Sequence, residues 1–191
     1  TEDVSAVVDY IIGDDNLKHL PIGIFGVSRG GCAAILAAAQ RPEIRSVTTD
    51  SAYSTRVLIN CFMLKFCRYI VPEWLFKRLP HWHNKIVVEQ ALHRSSARRG
   101  RVYRHLEDEV QNLTQPILLI SGSRDSYVTP DTTHQLASLV SAEDNTWIVN
   151  KAKHNRCRSN APAEYDERLV RHFRDTLLCE STDPIRKDRV A

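Results

Sequence analysis

Three polar residues could do chemistry together: Ser28 in GVSRGG, Asp125 in GSRDSYVTP and His154 in KAKHN. A serine hydroxyl titrates far above neutrality, so it needs a base, and an imidazole base needs a carboxylate to orient it. The chain supplies them in the order Ser, Asp, His, with His154 lying 29 residues beyond Asp125. Glycines at 26, 30 and 31 surround the serine. On this reading Gly26 and Gly30 clear the space two positions either side of it, and Gly31 lets the following segment press close. Asp50 is the reserve acid; of Thr129 and Asp131 before the next helix, Asp131 is the better cap candidate, which leaves Asp125 free.

The elements that must position these residues follow from apolar periodicity. PIGIFGV (21–27) is a short unalternated run, the pattern of a strand buried on both faces. SRGGCAAILAAAQ is alanine-rich and helix-forming, so Ser28 falls on a strand-to-helix turn, the context of a nucleophile elbow. That turn would aim the helix N-terminus and the amide of Arg29 at a developing oxyanion. EIRSVTTD, QPILLISG and NTWIVNK supply three further strands, and Asp125 and His154 each follow one of them. TEDVSAVVDYIIG is expected to form a helix with Val4, Val7, Val8, Ile11 and Ile12 on one side; APAEYDERLVRHFRDTLL forms another on Tyr165, Leu169, Phe173 and Leu177. Strands alternating with helices, without hairpin turns, predict an α/β fold: a parallel sheet flanked by helices. Residues 1–54 and 113–178 would form its core, 55–112 a helical cap insertion, and 179–191 a polar tail.

Other chemistries fit less well. The glycine spacing is neither GxGxxG nor a phosphate loop ending in GK[ST]. His81 and His83 flank Trp82 without a further ligand at metal spacing, so neither a metal nor another cofactor is expected. A net charge of +3 does not argue for nucleic acid, and the arginine-rich HRSSARRGRVYR reads as a solvated helix face. The longest apolar stretch, residues 57–71, is broken by Asn60, Lys65 and Arg68, so no membrane span is expected. Five cysteines without a CxxC read as reduced thiols, and place the protein in the cytoplasm.

The three motifs together resemble the α/β-hydrolase fold superfamily, nearest to its esterases and prolyl-oligopeptidase-like serine hydrolases. The resemblance covers roughly residues 1 to 178. It implies Ser28 as nucleophile, His154 as general base and then acid, Asp125 as its orienter, and the Arg29 amide as one oxyanion donor. It implies a serine esterase acting on a small acyl substrate, with peptidase or thioesterase activity within the same chemistry. Tyr53, Phe62 and Trp74, with Phe66 and Trp82, are candidates to line the acyl pocket. Family members have further strands before the elbow strand, and a loop there gives the second oxyanion donor. Without them the elbow strand is expected at a sheet edge, covered by an N-terminal segment or a second chain. A catalytically incomplete hydrolase-like domain serving as an interaction module is the alternative.

Overall fold

The structure, a computed structural model, describes residues 1–56, 58–59, 69, 78, 81–100, 106–140 and 145–178. Strands β1 (Ile22–Val27), β2 (Ile44–Asp50), β3 (Ile117–Gly122) and β4 (Thr146–Val149) form one parallel sheet, in spatial order β1-β2-β3-β4. Helices α1 (Glu2–Gly13) and α2 (Arg29–Ala38) flank β1, and α3 (His81–Arg99) and α4 (Leu106–Glu109) lie between β2 and β3. Helix α5 (Pro130–Leu139) precedes β4; α6 (Cys157–Asn160) and α7 (Pro162–Phe173) follow it, and α7 runs into a π-helical turn at Arg174–Leu178.

The period of two along a strand explains the two cores. In β3 every residue is buried, and successive side chains go to opposite faces. Ile117 and Leu119 join Ile35, Val47, Leu106 and Leu136 under α2, α4 and α5. Leu118 and Ile120 join Val149, Cys157 and Tyr165 under α6 and α7. Truncating one of these buried Ile or Leu side chains to Ala would cost about 2–5 kcal/mol.

Helix α2 lies close because its residues are small. A Cβ at Gly31 would stand 3.0 Å from Ala52 and 3.1 Å from Thr49, and Ala34, Ala37 and Ala38 are buried against the sheet. Helix α7 settles on β1 through Gly23, where an added Cβ would meet Phe173 at 2.7 Å and Leu177 at 2.8 Å.

Two expectations change. Strand β1 is not buried on both faces, with Phe25 42% and Val27 39% exposed; among the described strands it lies at the sheet edge, the position expected of an elbow strand without the family's preceding strands. Its apolar run looks like a central strand because the residues are suited to burial, while among the described residues only β2 pairs with it. Helix α1 likewise buries Val8 and packs Val4 partly, whereas Val7 and Ile12 point to solvent. The arginine segment behaves as expected where it is described, with Arg94, Arg98 and Arg99 on the exposed surface of α3.

Candidate active site

The carboxyl ends of β1, β3 and β4 bring Ser28, Asp125 and His154 together. Ser28 Oγ lies 3.0 Å from His154 Nε2, and His154 Nδ1 lies 2.6 Å from Asp125 Oδ2. A carboxylate only accepts, so in the neutral ring Nδ1 carries the proton and donates it to Asp125. Nε2 then presents a lone pair that accepts from the Ser28 hydroxyl. Asp125 is buried, and its other oxygen accepts from the amides of Tyr127 and Val128 at 2.8 and 2.9 Å. Three donors on two oxygens fix the carboxylate in place.

The serine turn is strained. Ser28 adopts φ 53°, ψ −120°, a conformation that L-residues rarely take and that persists only where the surroundings enforce it. Here the enforcing contacts are the Ser28 amide donating to the Asp50 carbonyl at 2.7 Å, and the Ser28 carbonyl accepting from Cys32 at 3.2 Å. A Cβ at Gly26 would run into the backbone of Gly30 and Gly31, so that glycine is required. Gly30 is different: a Cβ there meets nothing within 4 Å. The expected clearance at position 30 is unnecessary, because the crowding falls on the Gly26 side of the turn. Arg29 opens α2, so its amide is among those that a helix start leaves without an intrahelical partner.

Asp131 does not cap α5. Thr129 does, its hydroxyl accepting from the Thr132 amide at 3.4 Å, while Pro130 begins the helix and Asp131 sits in its first turn. Asp50, the reserve acid, has its carboxylate bonded to Tyr165 and Ser51 instead of His154.

A cavity of about 240 Å³ opens on the site, lined by Ser28, Tyr53, Leu58, Tyr127, Val128 and His154. Tyr53 therefore faces the site, and burial pushes its phenol upward from its ordinary value. The segment carrying Tyr53 and Leu58 is tied to α4: Glu107 accepts from Ser54 Oγ and the Arg56 amide, and the Arg56 guanidinium grips Asp108 with two bonds of 3.0 Å. Phe62, Phe66 and Trp74 lie outside the described residues. Trp82 is 63% exposed on α3, edge-on to His83, and does not line this cavity. Sequence reasoning missed Tyr127 and Leu58; the SYV that follows Asp125 was the available signal for Tyr127.

A larger hollow of about 490 Å³ on α3 has Glu89, Gln90, His93 and Arg94 among its described lining residues, none of them a serine, threonine or cysteine. Cys32 is no rival to Ser28, since its buried thiol donates to the Tyr53 carbonyl and burial pushes it up to about 11. Among the described residues no group of His, Cys, Asp and Glu could hold a metal, and no helix is long and apolar enough to cross a membrane.

Residues 1–178 match the prolyl oligopeptidase family. The chain belongs to that family. Solved structures of the α/β-hydrolase fold agree. An esterase of Pyrococcus furiosus is 21% identical with a TM-score of 0.63, over 92% of this chain and 61% of that one. A puromycin-hydrolyzing peptidase of Mycobacterium tuberculosis is 19% identical with a TM-score of 0.58, over 91% of this chain and 24% of that one. An acylaminoacyl peptidase of Pyrococcus horikoshii is 15% identical with a TM-score of 0.62, over 95% of this chain and 28% of that one. At these identities the likeness is one of fold, and the chain spans under two thirds of each of those three proteins. No curated protein matches.

Proposed function

We propose that this prolyl oligopeptidase-family chain is a serine hydrolase that cleaves small carboxylic esters through an acyl-serine intermediate. The observation that carries this reading is the hydrogen-bonded line Ser28–His154–Asp125, at 3.0 and 2.6 Å, opening on the cavity. Ser28 Oγ attacks the acyl carbon as His154 Nε2 takes its proton, and Asp125 holds the imidazolium that forms. His154 then returns the proton to the leaving alcohol. Water, deprotonated by the same nitrogen, releases the acid. The Arg29 amide faces the oxyanion, and one such donor is worth about 10² to 10³ in rate. About 240 Å³ between Tyr53, Leu58, Tyr127 and Val128 suits a short or flat acyl group. Amides and thioesters react by the same steps.

The site makes no use of a metal or cofactor. A reducing, cytoplasmic setting belongs to the same reading, supported by the free thiols of Cys32 and Cys157. A cap at 55–112 and a tail at 179–191 belong to the same reading; part of the first and all of the second lie outside the described residues. The open edge of β1 supports a second reading, an interaction module whose edge is completed by an N-terminal segment or another chain.

Intact-mass detection of fluorophosphonate labelling separates the two. The hydrolase takes up one phosphonyl group and loses that capacity in Ser28→Ala, after which a panel of 4-nitrophenyl esters ranks acyl length. Folded protein that takes no label is the result expected of the module.

A further inference from the structure

Asp50 is a buried carboxylate that the proposed reaction leaves without a role. It is 3% exposed, and it forms no ion pair among the described residues. A buried charge without a cation is costly unless hydrogen bonds satisfy it. Two hydroxyls do so: Tyr165 Oη donates to Oδ2 at 3.0 Å and Ser51 Oγ donates to Oδ1 at 2.8 Å. Tyr165 is itself only 3% exposed and comes from α7, far along the chain.

The backbone around this carboxylate is the backbone that holds the serine turn. The Asp50 carbonyl accepts from the Ser28 amide at 2.7 Å, and Val27 pairs with Asp50 in the β1–β2 register. The next residue, Ser51, sits at φ 59°, in the left-handed region, with its amide donating to Ile120 at 2.7 Å. So two serines of positive φ, 28 and 51, flank one peptide carbonyl, and the carboxylate of the same residue is held by Tyr165 and Ser51. Cys157 packs with Tyr165 in the buried core under α6 and α7, and its burial, with the Asp50 carboxylate, pushes the thiol upward. Cys157 opens α6 directly after the loop that carries His154. The Ser28 turn and the His154 loop are thus both referenced to one group.

We infer that Asp50, clamped by Tyr165 and Ser51, is a positioning residue that holds the Ser28 turn in its strained conformation in register with the His154 loop. Its kinetic consequence rests on the serine-hydrolase reading; its geometric consequence does not. Asp50→Asn keeps the shape and exchanges an acceptor oxygen for a donor. Tyr165→Phe keeps the ring in its core and removes only the hydroxyl.

Two readouts test this on the full chain. Hydrogen–deuterium exchange, followed by mass spectrometry, compares the peptide containing Ser28 with the peptide spanning α5. Both variants are expected to exchange at least about tenfold faster at the Ser28 peptide, with α5 unchanged. Fluorophosphonate labelling and hydrolysis of a 4-nitrophenyl ester are expected to slow by about 10- to 100-fold in kcat, with KM unchanged and the final labelling stoichiometry intact. The double variant should add little to Asp50→Asn, because the two act through one contact. Exchange at the Ser28 peptide and kcat that both stay at wild-type values would overturn the inference, as would acceleration spread evenly over α5. If Asp50→Asn does not fold, Tyr165→Phe decides alone. Wild type that takes no label sinks the hydrolase reading and leaves the exchange comparison to decide the role of Asp50.

Discussion

Two serine–histidine pairs occur among the described residues, at opposite ends of the sheet. Ser28 Oγ stands 3.0 Å from His154 Nε2, and Ser46 Oγ stands 3.1 Å from His172 Nε2. By distance they are equivalent; by everything around them they are not. His154 gives its Nδ1 proton to a carboxylate, which leaves Nε2 free to accept. His172 Nε2 faces the Val47 carbonyl at 3.1 Å as well, and a carbonyl can only accept. That nitrogen is therefore engaged as a donor and offers Ser46 no base. Ser46 sits within the regular strand β2, fully buried beside Thr176 Oγ1 at 2.7 Å, whereas Ser28 sits on a strained turn facing a cavity. A short Ser–His distance is thus a weak sign of nucleophilicity. The tautomer, set by the third group, decides.

Breaking one pair and then the other gives the largest contrast. Ser28→Ala should abolish fluorophosphonate labelling, while Ser46→Ala should label to the same stoichiometry as wild type. Next in size is the acid. Asp125→Asn frees the ring to take the wrong tautomer, and the acylation rate, followed by stopped-flow, should fall by about 10⁴-fold. His172→Gln should leave that rate unchanged and lower stability by about 1–3 kcal/mol in urea unfolding, because Ser46 and Val47 lose a buried partner.

The smallest effect is one of pH. Burial holds His172 below its ordinary 6.5, against the opposing pull of the Val47 and Pro116 carbonyls and Asp175. The unfolded chain then binds the proton more readily than the folded one, so this contribution to stability is complete above about pH 6.5 and is lost as pH falls through the folded value. Urea midpoints measured from pH 7.5 down to pH 5 should decline more steeply for wild type than for His172→Gln. Equal slopes would remove His172 as the cause.

Much of this arrangement is legible in the chain. Ser28, Asp125 and His154 could be singled out because strand ends are marked by where apolar runs stop, and a parallel sheet gathers those ends along one edge. Which acid reaches the histidine was narrowed by the same logic, since Asp50 ends a strand too. What separates them is Tyr165, a helix residue whose hydroxyl claims Asp50, and an i to i+4 apolar stripe cannot reveal that. The exposure of Phe25 was not legible from β1 alone, because burial depends on neighbours that periodicity does not count. Gly30 shows the opposite error: a motif glycine read as a steric need, where the folded turn leaves room for a side chain. His172 gave no signal either, lying on an amphipathic helix among charged residues.

The sheet's spatial order is its order in the chain, so each strand pairs with the one made just before it. Pairing in chain order lets the strands join one after another as they are synthesised. Ser28 meets β2, and the Asp50 carbonyl that holds its turn, early in that sequence. The imidazole arrives only after β4. On the serine-hydrolase reading the nucleophile is therefore in place first and its base last, and a nascent chain stays chemically silent until β4 has joined the sheet.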